Sequence, residues 1–249
     1  MVSKYFDHIE FKMQNREFTT HTGILNKKRL TVISTGIGTD NIDIFLNELD
    51  ALVNIDLKER TIKKDKKSLT VVRIGTSGSL QGDVPVDSFV LSDYGLGLDG
   101  LLNFYKGHQQ VIEKEITEAF IRHSNWNKNL AFPYIVKGSE DLIKKLESGC
   151  IKGITATASG FYAPQGRTLR LLPEINDLNE MLSSFSFENK RITNFEMETS
   201  ALYGLSALLG HQACTVCAII ANRIEKQYSK DYKKTVDQLI QFVLGKLTN

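Results

Sequence analysis

The chain has 249 residues, 41% of them hydrophobic and 24% charged, which suits one compact domain with a single core. Its net charge of +2 supplies no broad field for nucleic acid or an anionic membrane, and no stretch reaches the roughly eighteen unbroken apolar residues of a membrane span. The opening "MVSKYFDHIE" has no apolar leader, and three cysteines, an odd count in a long chain, point to reduced thiols in a cytoplasm.

In chain order, "RLTVIST" (29–35) reads as a buried strand. It runs into "GIGTDNIDIFLNELDALV", where Ile42, Phe45, Leu46, Leu49 and Leu52 recur at helical spacing behind an Asp40 cap. "LKERTIKKDKK" (57–67) mixes charge signs between two apolar segments and reads as a solvated connector. "LTVVRIG" and "DSFVLSDYGL" are strands, "QQVIEKEITEAFIRH" a helix, and "FPYIVKG" a further strand. "SEDLIKKLES" has a serine cap, a helical stripe and a closing Gly149. "CIKGITATASGFY" is β-like, "NFEMETSALYGLSALLG" (194–210) is an apolar helix headed by Glu196 and Glu198, and "CTVCAIIAN" is a strand. In that strand Cys214 and Cys217 fall on opposite faces, which argues against a redox or metal pair. A last helix, "DYKKTVDQLIQFVLGKL", lines up Tyr232, Val236, Leu239, Val243 and Leu247.

Strands separated by helices predict an α/β fold: a mostly parallel or mixed sheet with helices on its faces, in one domain over residues 1–249. In such sheets ligands bind beyond the carboxyl ends of strands, and three stretches there carry unusual residues. "RIGTSGS" (73–79) offers backbone N–H groups at Gly75, the Thr76 hydroxyl and the Arg73 guanidinium, a set suited to an oxyanion; the competing reading is a glycine turn with Arg73 paired to a carboxylate. The nearby "TGIGTD" is no dinucleotide fingerprint, because Asn41 stands where the last glycine belongs, so no nicotinamide cofactor is expected.

"SGFYAPQGR" (159–167) sets the flat faces of Phe161 and Tyr162 beside the Gln165 amide and the Arg167 fork, a composition able to stack a planar heterocycle and read its edge, and equally common in surface turns. Glu196 and Glu198 flank Met197. As acceptors they suit a sugar diol; as first-turn acids they would only favour the helix dipole. Residues two apart do not share a helix face, so one of the two should point inward. Together the three stretches suggest a nucleoside plus phosphate.

The motifs "NREFTT", "STGIG", "VVRIGTSGSLQ", "GFYAPQGR", "NFEMETSALYGL" and "CAIIANR" occur in the order found in the uridine phosphorylases of the nucleoside phosphorylase superfamily, and the chain resembles that family through nearly its whole length. The resemblance implies a three-layer α/β/α fold with a central mixed sheet. It further implies phosphate binding by Arg73, Gly75 and Thr76, completed by Arg16 from a neighbouring subunit, in a homo-oligomer built of dimers, usually a hexamer. Glu198 would hold the ribose hydroxyls, with Met197 against the sugar and Glu196 alongside. Phe161 would stack near the base, Gln165 and Arg167 would read the uracil edge, and Arg223 would root the mobile segment "NRIEKQYSKDY".

Purine-specific relatives place an aspartate where this chain has Asn222, so pyrimidine chemistry is expected, with inorganic phosphate as co-substrate and no metal or organic cofactor. A monovalent cation near Glu17 occurs in some relatives and is not established by this sequence. Other family members begin with an extra strand that ends in a Gly-Asp-Pro loop, followed by an arginine, both touching phosphate. Counted back from Arg16, that arginine falls just before Met1; the upstream histidine that reaches a neighbour's ribose is also outside the sequence, and His8 is not expected to replace it. Either the sequence starts at an internal methionine of a longer protein, or the protein is short and binds phosphate weakly. Loss of that strand would leave a bare flank of sheet that must find cover or a partner. A nucleosidase using water, or a catalytically silent nucleoside-binding subunit, are the alternative readings.

Overall fold

A computed structural model describes residues 1–248. The chain opens with three antiparallel strands, β1 (His8–Asn15), β2 (Phe18–Leu25) and β3 (Lys28–Ser34). Asn26 and Lys27 both take positive φ, as a two-residue turn matching strand twist requires, and Leu25 pairs with Lys28 to close it. Helix α1 (Thr39–Asn54) follows, then a small ribbon of β4 (Ile55–Asp56) and β5 (Thr61–Ile62) that carries the basic connector.

The larger sheet takes β6 (Thr70–Ser79), β7 (Phe89–Gly97), β8 (Tyr134–Lys137), β9 (Ile151–Thr157), β10 (Ser186–Phe187), β11 (Lys190–Glu196), β12 (Gln212–Asn222) and β13 (Gln227–Tyr228). Between them lie α2 (Lys114–Ser124), α3 (Glu140–Leu146), α4 (Leu178–Ser184) and α5 (Thr199–Leu209), and α6 (Tyr232–Thr248) follows. The sheet is mixed, as expected: β12 is parallel to β6, β9 lies parallel between β7 and β11, and the β6–β11 contact is antiparallel. Because β7 also pairs with β12, the path β12–β6–β11–β9–β7 closes on itself.

Apolar clusters lie on both sides of β6. Val71 packs with Ile42 and Leu46 of α1 and with Leu202 and Leu205 of α5, whereas Val72 and Ile74 pack with Leu239 and Val243 of α6. Alternation along one strand thus serves two helical layers. Cys214 and Cys217 are buried in β12, and burial pushes their thiols up to about 12 and about 11, the range of inert core cysteines.

Two expectations need correction. "RLTVIST" is not a buried strand of the main sheet: β3 is half-exposed and pairs only with β2, because the hairpin turn at Asn26–Lys27 draws it into the separate antiparallel sheet. Asn194–Glu196 are not helical either. They complete β11, whose neighbours β9 and β6 claim their backbone, and α5 starts at Thr199.

Candidate active site

A cleft of about 1800 Å³ runs from the β3–β6 gap to the far end of β12, and Arg73, Gly75, Thr76, Phe161, Gln165, Arg167, Glu196, Met197, Glu198 and Arg223 all line it. Of the residues expected at the site, Arg16 and Tyr162 lie outside the cleft lining. Arg16 sits exposed at positive φ on the β1–β2 turn.

At one end Arg73 rises from the middle of β6. Its Nη1 lies 2.9 Å from Glu196 Oε2, its Nη2 donates to Glu198 Oε2, and Nη1 also approaches Cys217 Sγ at 3.3 Å. Burial alone would lower the Arg73 pKa; the charges of Glu196 and Glu198 overcome it and hold the guanidinium above its ordinary value. Gly75 makes the arrangement possible, since a Cβ there would sit 2.4 Å from Arg73 Nη1.

Both glutamates turn inward, not one. Glu196 ends a strand, so its side chain reaches across the start of α5: Oε1 accepts from Thr157 Oγ1 at 2.7 Å and Thr199 N at 3.1 Å, and Oε2 from Glu198 N at 3.1 Å. It therefore caps two of the helix's first N–H groups while pairing with Arg73. Burial holds the Glu196 carboxyl above its ordinary value, with Arg73 opposing the rise and Glu198 adding to it. Glu198 points past the helix end, and its Oε1 accepts from Gly38 N at 2.7 Å, tying the "TGIG" turn to the site. Two carboxylates on one guanidinium leave an acceptor surplus facing the cleft. Thr76, by contrast, is exposed and carries no internal hydrogen bond among the described residues.

The other end is built around Gln165, only 2% exposed in a short 3-10 turn. Its Oε1 accepts from Arg167 Nη1 at 2.6 Å and from Arg223 Nη2. The two guanidiniums thus converge on one neutral amide oxygen, and the Gln165 amide nitrogen has no partner among the described residues. Arg167 Nη1 also donates to Phe161 O at 2.6 Å, and its guanidinium carbon lies 3.9 Å above the Phe161 ring. Arg223 Nη1 donates to Gln165 O at 2.9 Å and Asn179 Oδ1 at 3.2 Å, its guanidinium lies 5.1 Å from the Phe195 ring centre, and its buried Nε has no partner among the described residues. Burial first, then the neighbouring Arg167 charge, brings the Arg223 pKa down to about 10. Gly78 gives that side chain its passage, since a Cβ there would meet Nε at 3.0 Å. Phe161 itself is 52% exposed, an aromatic face open to the cleft.

Asn222 also lines the cleft, but its amide is spent internally: Nδ2 donates to Gln81 O and Val84 O, and Oδ1 accepts from Ile224 N and Glu225 N. It shapes the turn into β13 and has no proton to give a ligand. Two contributors escaped the sequence reading. Asn179 sits on α4, whose seven residues are too short for a periodic signal, and Phe195 lies in the strand taken for a helix.

The chemistry of the arrangement is a cation held between carboxylates at one end and an aromatic face with paired guanidiniums and a buried amide at the other. A family model described as the phosphorylase superfamily matches residues 1–246. A uridine phosphorylase of Thermococcus kodakarensis is 28% identical over 241 residues, covering 94% of this chain and 72% of that one. One from Haemophilus influenzae is 26% identical, covering 98% and 84%. Purine nucleoside phosphorylases match too, one from Buchnera aphidicola at 21% identity over 246 residues. Among solved structures, a Trypanosoma brucei nucleoside phosphorylase, described as showing uridine phosphorylase activity, superposes with a TM-score of 0.83 at 27% identity over 99% of this chain and 88% of that one.

Proposed function

Since the chain belongs to the phosphorylase superfamily, we propose that it is a uridine phosphorylase, a pentosyltransferase that converts uridine and inorganic phosphate reversibly into uracil and ribose 1-phosphate. The observation that carries the reading is the convergence of Arg167 and Arg223 on Gln165 beside the open Phe161 ring. As the N-glycosidic bond breaks, its electron pair passes to uracil N1 and spreads onto the carbonyl oxygens, which the guanidinium donors and the Gln165 amide nitrogen receive. Donors of this kind, fixed and dry, contribute about 3 kcal/mol each to the transition state. The internal commitment of Asn222 supports a pyrimidine over a purine, because a departing purine needs a proton at N7 and no acid stands at that position.

Phosphate binds at Arg73, Gly75 and Thr76, with Arg16 from a neighbouring subunit, and attacks the sugar carbon from the face opposite the base. Glu198 holds the ribose hydroxyls in line and Met197 packs against the sugar. Uracil takes its proton from the solvent-exchangeable pool once it has left. The enzyme works in pyrimidine nucleoside salvage in the cytoplasm as an oligomer of dimers, without an organic cofactor. A phosphate-dependent assay of uracil release from uridine tests this, with inosine as control; release that ignores phosphate would instead indicate a hydrolase. One observation favours a second reading. Both terminal nitrogens of Arg73 are already held by carboxylates, so a protein that binds nucleoside without turning it over predicts uridine binding and no release even at high phosphate.

A further inference from the structure

A separate cavity, of about 160 Å³, shares no lining residue with the cleft and lies at the other end of β9 and β11. Asp93 and Tyr94 of β7 line it, with Lys152 near the start of β9, Asn189 in the two-residue turn that joins β10 to β11, and Lys190 and Arg191 just after that turn. From here β9 and β11 run to Thr157 and Glu196, which meet at the candidate active site.

A bulge supplies the cavity's carboxylate. Ser92 pairs with Gly153 and Tyr94 with Ile154, so Asp93 is an extra residue of β7 without a partner on β9, and such a residue has its side chain re-aimed. Its carbonyl accepts from Gly138 N at 2.9 Å, which fixes the backbone, while its carboxylate Oδ1 is buried and has no partner among the described residues. Burial holds the Asp93 carboxyl above its ordinary value; Lys152, Lys137 and Lys190 oppose the rise and Glu147 adds to it.

The cations that line the cavity each lean on another carboxylate. Lys152 Nζ lies 2.8 Å from Glu147 Oε2, Arg191 Nη2 lies 2.7 Å from Asp83 Oδ2, and Lys190 Nζ pairs with Glu188. Lys190 Nζ also lies 5.9 Å from the Tyr94 ring centre. These ion pairs are partly exposed, and pairs of that kind are worth little, so their cations can turn to a ligand. The cavity therefore joins a buried acceptor that lacks a donor to cations that can be recruited. A lone anion would meet the charge of Asp93, and a lone cation would meet three like charges. A small molecule with both charges satisfies both walls. A cavity of about 150 Å³ takes a molecule of about six non-hydrogen atoms, which is the size of alanine.

We propose that this cavity is a binding site for a small zwitterion of the α-amino-acid type, its ammonium group on Asp93 and its carboxylate on Lys152, Lys190 and Arg191. The ammonium donates to Asp93 Oδ1, and the Asn189 amide and the Tyr94 ring complete the walls.

The test titrates the full chain with L-alanine, with propionate, which lacks the ammonium, and with ethylamine, which lacks the carboxylate. NMR reads the backbone amides of Gly153, Ile154 and Asn189. Alanine should shift all three saturably, and each single-charge probe should bind about tenfold more weakly or worse. Asp93→Asn keeps the side chain's shape and should weaken alanine about tenfold or more without weakening propionate. Lys190→Met, at a partly exposed side chain, should weaken alanine and propionate together. The comparison of the three probes needs no variant. Propionate binding as tightly as alanine would make this an anion site with Asp93 as a protonated donor, and ethylamine doing so would make it a plain cation site; either result overturns the proposal. So would shifts centred on Gly75 and Thr76, an alanine titration unchanged in Asp93→Asn, or no saturable shift, in which case water alone partners Asp93.

Discussion

Replacing Arg167 by alanine isolates the leaving-group role, because this side chain touches the candidate base site and little else. It donates to Gln165 Oε1 and Phe161 O and stacks on a ring that is half in solvent. Loss of two partly exposed hydrogen bonds costs about 1 kcal/mol in stability, which lowers Tm by about 3 °C in a chain of this size. Loss of a preorganised donor to the departing base costs about 3 kcal/mol in the transition state. At 1.36 kcal/mol per decade that is a fall of about 150-fold in kcat/KM for uridine. Steady-state uracil release together with a thermal melt separates the two effects. Arg167→Lys restores the charge without the planar fork and should recover only part of the loss. If kcat/KM moves less than about threefold while the melt behaves as stated, the base does not discharge onto this arginine, and the magnitude taken for a preorganised donor does not apply here.

Other expectations follow from the same geometry. Arg73→Met leaves Glu196 and Glu198 buried without a cation and should cost about 4 kcal/mol near neutrality, read from denaturant unfolding. In the native protein the Glu196 carboxyl already binds its proton more tightly folded than unfolded, so its contribution to stability is present below the ordinary glutamate pKa of about 4.3 and is lost as pH rises through the raised folded value. Removing Arg73 takes away the opposing charge and widens that window, so the variant's Tm should be higher at mildly acidic than at mildly alkaline pH; a flat profile would show that the pair is solvated. Glu198→Gln keeps an acceptor for Gly38 N and should leave phosphate binding by calorimetry intact while cutting kcat/KM by about 10- to 100-fold; full activity would place the diol elsewhere. Asn222→Asp sets a carboxylate oxygen against the Gln81 and Val84 carbonyls, so it should destabilise by about 2 kcal/mol and gain no inosine cleavage. Purine turnover in that variant would show that the position is free to act on a base.

Much of this was legible in the sequence, for identifiable reasons. The run of β12 and the positions Ile42, Phe45, Leu46 and Leu49 of α1 lie where the pattern implied, whereas Leu52 is exposed and the Arg73–Ser79 stretch, expected as a strand running out into a loop, stays within β6. The β1–β2–β3 sheet was less legible. Its first strand, β1, is mostly exposed, so Phe11 and Met13 alternate with polar residues without a buried face to anchor the reading. The pairing of Arg73 with both glutamates needed geometry. A strand–helix junction at Met197 aims successive side chains to the same side, which helical spacing forbids. The meeting of Gln165 with Arg223, far apart in sequence, is a product of tertiary packing against Asn179 and Phe195, neither of which advertises itself.

The central claim is that a pyrimidine base lies on Phe161 with its carbonyl edge toward Arg167 and the Gln165 amide nitrogen. A crystal structure with uridine bound measures it directly. The account predicts base oxygens within hydrogen-bonding distance of Arg167 and Gln165, and the ribose hydroxyls on Glu198. A base lodged away from Gln165 and Arg167 would contradict it.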